Sequence, residues 1–127
     1  MKEQEWDTMI EEIIDISKTN PKKASELYKI AYGKVQTWDH LAHIASGVTT
    51  RLNDKEFGKT LCNEAVEKAE TALQYCIIAE TISHPDGLND KVWAKKVFQI
   101  ALEKSKSDNM TASIKDSMYE CLEEDWD

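Results

Sequence analysis

The segment Leu52–Lys68, LNDKEFGKTLCNEAVEK, returns 36 positions later as Leu88–Lys104, LNDKVWAKKVFQIALEK. No other feature of the 127-residue chain limits its fold so tightly. A short unit that recurs in one chain is a single supersecondary element, and it buries its apolar face only by stacking on its copies.

Within the copies the apolar residues keep a three-and-four rhythm. Phe57, Leu61, Cys62, Ala65, Val66 and Ala69 mark one helix face, and Trp93, Ala94, Val97, Phe98, Ala101 and Leu102 mark another. A fainter third copy opens at Asn20-Pro21, with proline at its favoured first helical position, and continues through Ala24, Leu27, Tyr28, Ala31 and Val35. Each of these helices follows another amphipathic one. Their apolar sets are Trp6, Met9, Ile10, Ile13 and Ile16; then Trp38, Leu41, Ala42, Ala45 and Val48; then Ala72, Tyr75, Cys76, Ala79 and Ile82. A last helix on Met110, Ile114, Met118, Cys121 and Leu122 closes the series.

Boundary signals agree with this division. Thr37, Thr71 and Ser107 stand where each new unit begins and suit helix caps. Asn53 with Glu56 three residues later resembles a capping box, and Asn89 holds the matching place in the second copy. His84-Pro85-Asp86-Gly87 is the most turn-like connection. The expectation is an all-α chain of about seven helices forming one domain over residues 1–127. Three stacked helical hairpins occupy residues 4–36, 37–70 and 71–106, and a C-terminal capping helix occupies 108–124.

Charge is distributed unevenly. The net charge is −8, with six acids against one lysine in residues 1–16 and seven against one in the last twenty. Segments 20–36 and 90–106 are each net +3. Such a balance repels nucleic acid and anionic membrane and attracts basic surfaces, although acidic surface also serves solubility alone. No apolar run is long enough to span a bilayer, and the acidic start, MKEQEWD, lacks the apolar core of a signal peptide. Three widely spaced cysteines, Cys62, Cys76 and Cys121, form no Cys-x-x-Cys and suggest free thiols in a reducing cytoplasm.

Signatures of catalysis are missing. The four glycines are scattered, so no phosphate loop forms, and neither a His-Glu-x-x-His nor a Gly-x-Ser-x-Gly is present. The one polar cluster is Trp38-Asp39-His40-Leu41-Ala42-His43. Its helical spacing offers two metal ligands at most, and a hydrogen-bonded histidine pair is the simpler reading. The expectation is no enzyme, no metal and no cofactor. Trp126, set in Glu123-Glu124-Asp125-Trp126-Asp127, is either a partner anchor or part of a frayed end.

The second helices read Ala24-x3-Tyr28-x2-Ala31, Gly58-x3-Cys62-x2-Ala65 and Ala94-x3-Phe98-x2-Ala101. This pattern, at 34-to-36-residue spacing, resembles the second helix of a tetratricopeptide repeat, and Trp38-x-x-Leu41-Ala42 resembles the start of its first helix. Ile13, Ala45 and Ala79 replace the tyrosine expected later in the first helix, and short HEAT-like repeats are the neighbouring resemblance. The likeness implies a right-handed αα superhelix whose first helices line a concave protein-binding surface. The residues then projecting are Asp7, Glu11 and Asp15; Asp39, His43 and Ser46; and Leu73, Ile77 and Glu80. The Lys, Arg and Asn donors with which some relatives grip a peptide carboxylate are missing at those positions, and the lysines fall on the second helices instead.

The leading expectation is therefore a monomeric, acidic, non-enzymatic inhibitor or immunity-type protein that occludes a basic protein such as a nuclease-type toxin. An adaptor or co-chaperone recognising a linear peptide is the alternative. An RNA binder using the lysines is a third reading.

Overall fold

A computed structural model describes residues 2–34 and 37–122. Val35, Glu123, Glu124 and the Trp126 tail lie outside the described residues. Seven helices and no strand occur among those described: α1 (Glu3–Ser17), α2 (Pro21–Lys34), α3 (Trp38–Thr50), α4 (Lys55–Lys68), α5 (Ala72–Ser83), α6 (Lys91–Lys104) and α7 (Asp108–Leu122). They pack as successive pairs, an arrangement compatible with a helical repeat. The most extensive contacts join α3 to α4 and α5 to α6.

Each helix buries the stripe set by its apolar period. Trp6, Ile10 and Ile13 of α1 are buried, as are Ile114, Met118 and Leu122 of α7. Three residues at equivalent places in α2, α4 and α6 form the spine of the core: Tyr28, Cys62 and Phe98, each almost wholly inaccessible. Small residues flank them, namely Ala24 and Ala31, Gly58 and Ala65, and Ala94 and Ala101. Gly58 answers a close approach, since a Cβ there would collide with Thr49 Cγ2 of α3. Helix α3 is buried over most of its circumference, through Leu41, Ile44, Ala45, Val48 and Thr49 among others. Trp38 and Trp93 are half-buried and pack on this core from its edge.

The caps follow local chemistry. Thr37 Oγ1 accepts the His40 N–H at 3.3 Å, Thr71 forms a reciprocal capping box with Gln74, and Ser107 Oγ accepts the Met110 N–H at 3.1 Å. The repeated Leu-Asn-Asp-Lys departs from the expectation drawn from its sequence. Asn53 and Asn89 do not cap; they adopt left-handed backbone, with φ of 54° and 49°. Asp54 and Asp90 cap instead, accepting the N–H of Phe57 at 3.2 Å and of Trp93 at 3.0 Å. Asparagine is among the few side chains that tolerate positive φ, so it makes the bend and passes the cap to the next residue. The Asp54 and Asp90 amides then return to the preceding helices, donating to Val48 O at 2.9 Å and Ile82 O at 3.1 Å.

Odd-numbered helices also adjoin one another along the stack. Helix α5 touches both α3 and α7. Helix α1 meets α3 where the Trp6 ring stands edge-on to His40, with ring centroids 4.5 Å apart. Helix α2 meets α4 where Tyr32 donates to Glu64 Oε1 at 2.8 Å and packs against Phe57.

Candidate protein-binding surface

The alternation of helices sorts the charges. Helices α1, α3, α5 and α7 carry eleven acids against a single lysine, whereas α2, α4 and α6 carry eleven lysines against five acids. Helix stability does not account for this division. Lys34, Lys68 and Lys104 complement the negative end of their helices, but Lys55 and Lys91 stand in first turns, where a cation is disfavoured.

All eight residues singled out as partner contacts are exposed on odd-numbered helices: Asp7, Glu11, Asp15, Asp39, His43, Leu73, Ile77 and Glu80. They do not share one recess. Asp39, His43 and Ile77 line a groove of about 350 Å³ between α3 and α5, together with Ala42, Ser46, Thr81 and Arg51. Leu73, 62% exposed, opens instead onto a hollow bounded by Lys104, Lys106 and Met110. Asp7, Glu11 and Asp15 succeed one another at four-residue intervals along α1, clear of both recesses. The carboxyl of Glu80 lies 3.6 Å from Cys76 Sγ; partial burial of this otherwise exposed side chain raises its pKa above the usual carboxylate value, the Cys76 contact opposes the shift, and the nearby Glu120 adds to it.

Arg51, the chain's only arginine, lines the groove although the reading of first-helix positions found no such donor. It follows the last residue of α3, just beyond the span that the repeat pattern marks as projecting. The Tyr28 hydroxyl lies beside its guanidinium, and that hydroxyl fits because Gly47 has no Cβ to meet it. Burial raises the Tyr28 pKa, and the adjacent guanidinium opposes that shift. A signal was present in the sequence: a lone arginine beside a helix end, with a glycine one turn earlier.

The two helical histidines are not a pair. His40 is buried; its Nδ1 lies 2.6 Å from Thr37 Oγ1 and its Nε2 3.1 Å from Glu3 Oε2, so it ties α1 to α3. His43 is exposed and faces the groove. Among the described residues no three His, Cys, Asp or Glu side chains cluster as a metal would need. The thiols sit in the core or at its margin. Burial pushes Cys62 up to about 12 and Cys76 up to about 11, and it raises Cys121 as well. No described helix is long and apolar enough to cross a membrane. Comparison with protein-family models, curated proteins and solved structures finds no match to this chain.

Proposed function

We propose that this chain is a non-enzymatic, tetratricopeptide-like binding module of the cytoplasm whose odd-numbered helices dock a basic protein. In its most concrete form it is a small monomeric inhibitor that covers a basic surface such as that of a nuclease-type toxin, and nucleic acid and membrane are not its targets. One observation carries the reading: the acids are concentrated on the odd-numbered helices and the lysines on the even-numbered ones, with Leu73 and Ile77 exposed on the former as Ile30 and Val92 are on the latter. A surface serving solubility alone gains from interspersed signs rather than from signs sorted by helix. Acidic side chains would speed capture of a basic partner, while the aliphatic pair would slow its release.

A second reading, an adaptor that recognises a linear peptide, has the groove between α3 and α5 in its favour. Binding kinetics against a panel of small basic nuclease domains, at low and high salt, test the main proposal. Reversing Glu11 and Asp15 together to lysine should slow association and flatten its salt dependence, whereas Leu73→Ala or Ile77→Ala should mainly speed dissociation. If these changes leave both rates untouched while Lys95→Glu with Lys96→Glu abolishes binding, the working face lies on the lysine-rich helices and the proposal falls.

A further inference from the structure

An acidic surface by itself would select any polycation. The groove between α3 and α5 is more particular, because its charges differ along its length. Asp39 stands in the first turn of α3 and Arg51 just past its last, so the two are separated by about 18 Å along the helix axis at 1.5 Å per residue. His43 and Ser46 lie between them on α3, and Ile77 and Thr81 face them from α5. The order along the groove is anion, a mixed stretch whose apolar members are Ala42 and Ile77, and cation.

Arg51 is held for such a task. Tyr28 is nearly inaccessible, its hydroxyl reaches past Gly47 to the guanidinium, and the groove receives the result. A guanidinium presents a planar fork that matches a carboxylate through two parallel hydrogen bonds, which a lysine does not.

We propose that this groove takes a short extended segment of the partner in one direction only, with a cationic side chain at Asp39, an apolar side chain against Ile77 and a carboxylate at Arg51. An extended chain advances about 3.3 Å per residue, so roughly five residues separate the cation from the carboxylate. The carboxylate belongs either to an acidic side chain or to the end of the partner's chain. The inference rests on the reading of the odd-numbered helices as the binding face, and it adds a polarity that an acidic face lacks.

The test uses blocked synthetic hexapeptides titrated into the isotopically labelled chain, with binding read from the amide shifts of Ser46, Ile77 and Thr81. A forward peptide has lysine first, leucine third and glutamate sixth. A reversed peptide exchanges the lysine and glutamate, and an all-basic peptide has lysine at both places. A fourth peptide replaces the glutamate with glycine and leaves the terminal carboxylate free, which separates the two carboxylate sources. The forward peptide should bind about tenfold more tightly than the reversed one, the increment expected of one charge-assisted hydrogen-bonded contact. Arg51→Lys should reduce that preference while leaving the melting temperature unchanged, and Asp39→Lys combined with Arg51→Glu should invert it. Equal affinity of forward and reversed peptides, or tightest binding by the all-basic one, overturns the polarity. If no peptide binds while the intact chain still captures a basic domain, the groove inference fails and the module reading stands. If the forward peptide binds selectively but no basic domain does, the groove stands and the proposed class of partner fails.

Discussion

Gly33 and Gly47 both lie inside helices, yet substituting them should have opposite effects. Replacing a mid-helix glycine with alanine gains about 0.5–1 kcal/mol of helix stability wherever the added methyl has room. Nothing approaches a Cβ built at Gly33 within 4 Å, so Gly33→Ala should stabilise, by less than a mid-helix change because Gly33 is the next-to-last residue of α2. At Gly47 the same methyl strikes the hydroxyl and ring of Tyr28, which is only 1% exposed and has nowhere to move. Overpacking of this kind costs about 1–3 kcal/mol and outweighs the helical gain. Gly47→Ala should therefore lower stability, and urea denaturation of the two variants checks the contrast. The turn residues make a similar pair. Asp54→Ala removes a cap and should cost about 1 kcal/mol, whereas Asn53→Gly keeps the left-handed bend and should cost little. A large loss from Asn53→Gly would mean that the asparagine amide has a structural task of its own.

At the scale of the element, the second helices supply the spine of the core. Phe98 is wholly inaccessible, so Phe98→Ala should cost about 3–5 kcal/mol through lost burial and the cavity left behind. A loss under about 1 kcal/mol would show that α6 does not anchor the hairpin α5–α6. Helix α5 also carries Glu80, whose pKa folding raises by burial and by the proximity of Glu120. A carboxyl with a raised folded-state pKa favours folding when protonated. Its contribution is most favourable below the unfolded pKa, near 4.3, and is lost as pH rises through the higher folded value. Glu80→Gln should accordingly raise the melting temperature at neutral pH, with the gain shrinking toward pH 4. A gain that grows on acidification would put the sign, and the burial behind it, in error.

Across the whole molecule the stack is not tied equally along its length. The α1–α2 pair lies at one end and joins its neighbours through a few identifiable contacts: Trp6 and Glu3 to His40, and Tyr32 to Glu64 and Phe57. Helix α3 is enclosed by α2, α4 and α5. In a stacked array each unit is held by its neighbours alone, so an end unit opens at lower free energy than a central one. Native-state hydrogen exchange should find α1 and α2 amides exchanging through openings smaller than those that release α3 and α5. Uniform protection across all the helices would mean that the stack unfolds as one unit.

The sequence by itself determined what depends on neighbours three or four residues apart. That includes seven helices, the packing places of Tyr28, Cys62 and Phe98, the caps at Thr37, Thr71 and Ser107, and cysteines placed where burial holds them as thiols. Helical period and capping are local, and one strand of text carries them. The sequence also placed most lysines on second helices. Only the tertiary structure decided that Asp39 and Ile77 share a groove, that Leu73 opens elsewhere, and that Tyr28 reaches past Gly47 to seat Arg51. Those relations join residues 19 to 38 positions apart. They depend on how closely two helices cross and on where one side chain projects over its neighbour, and no period within a single helix records either.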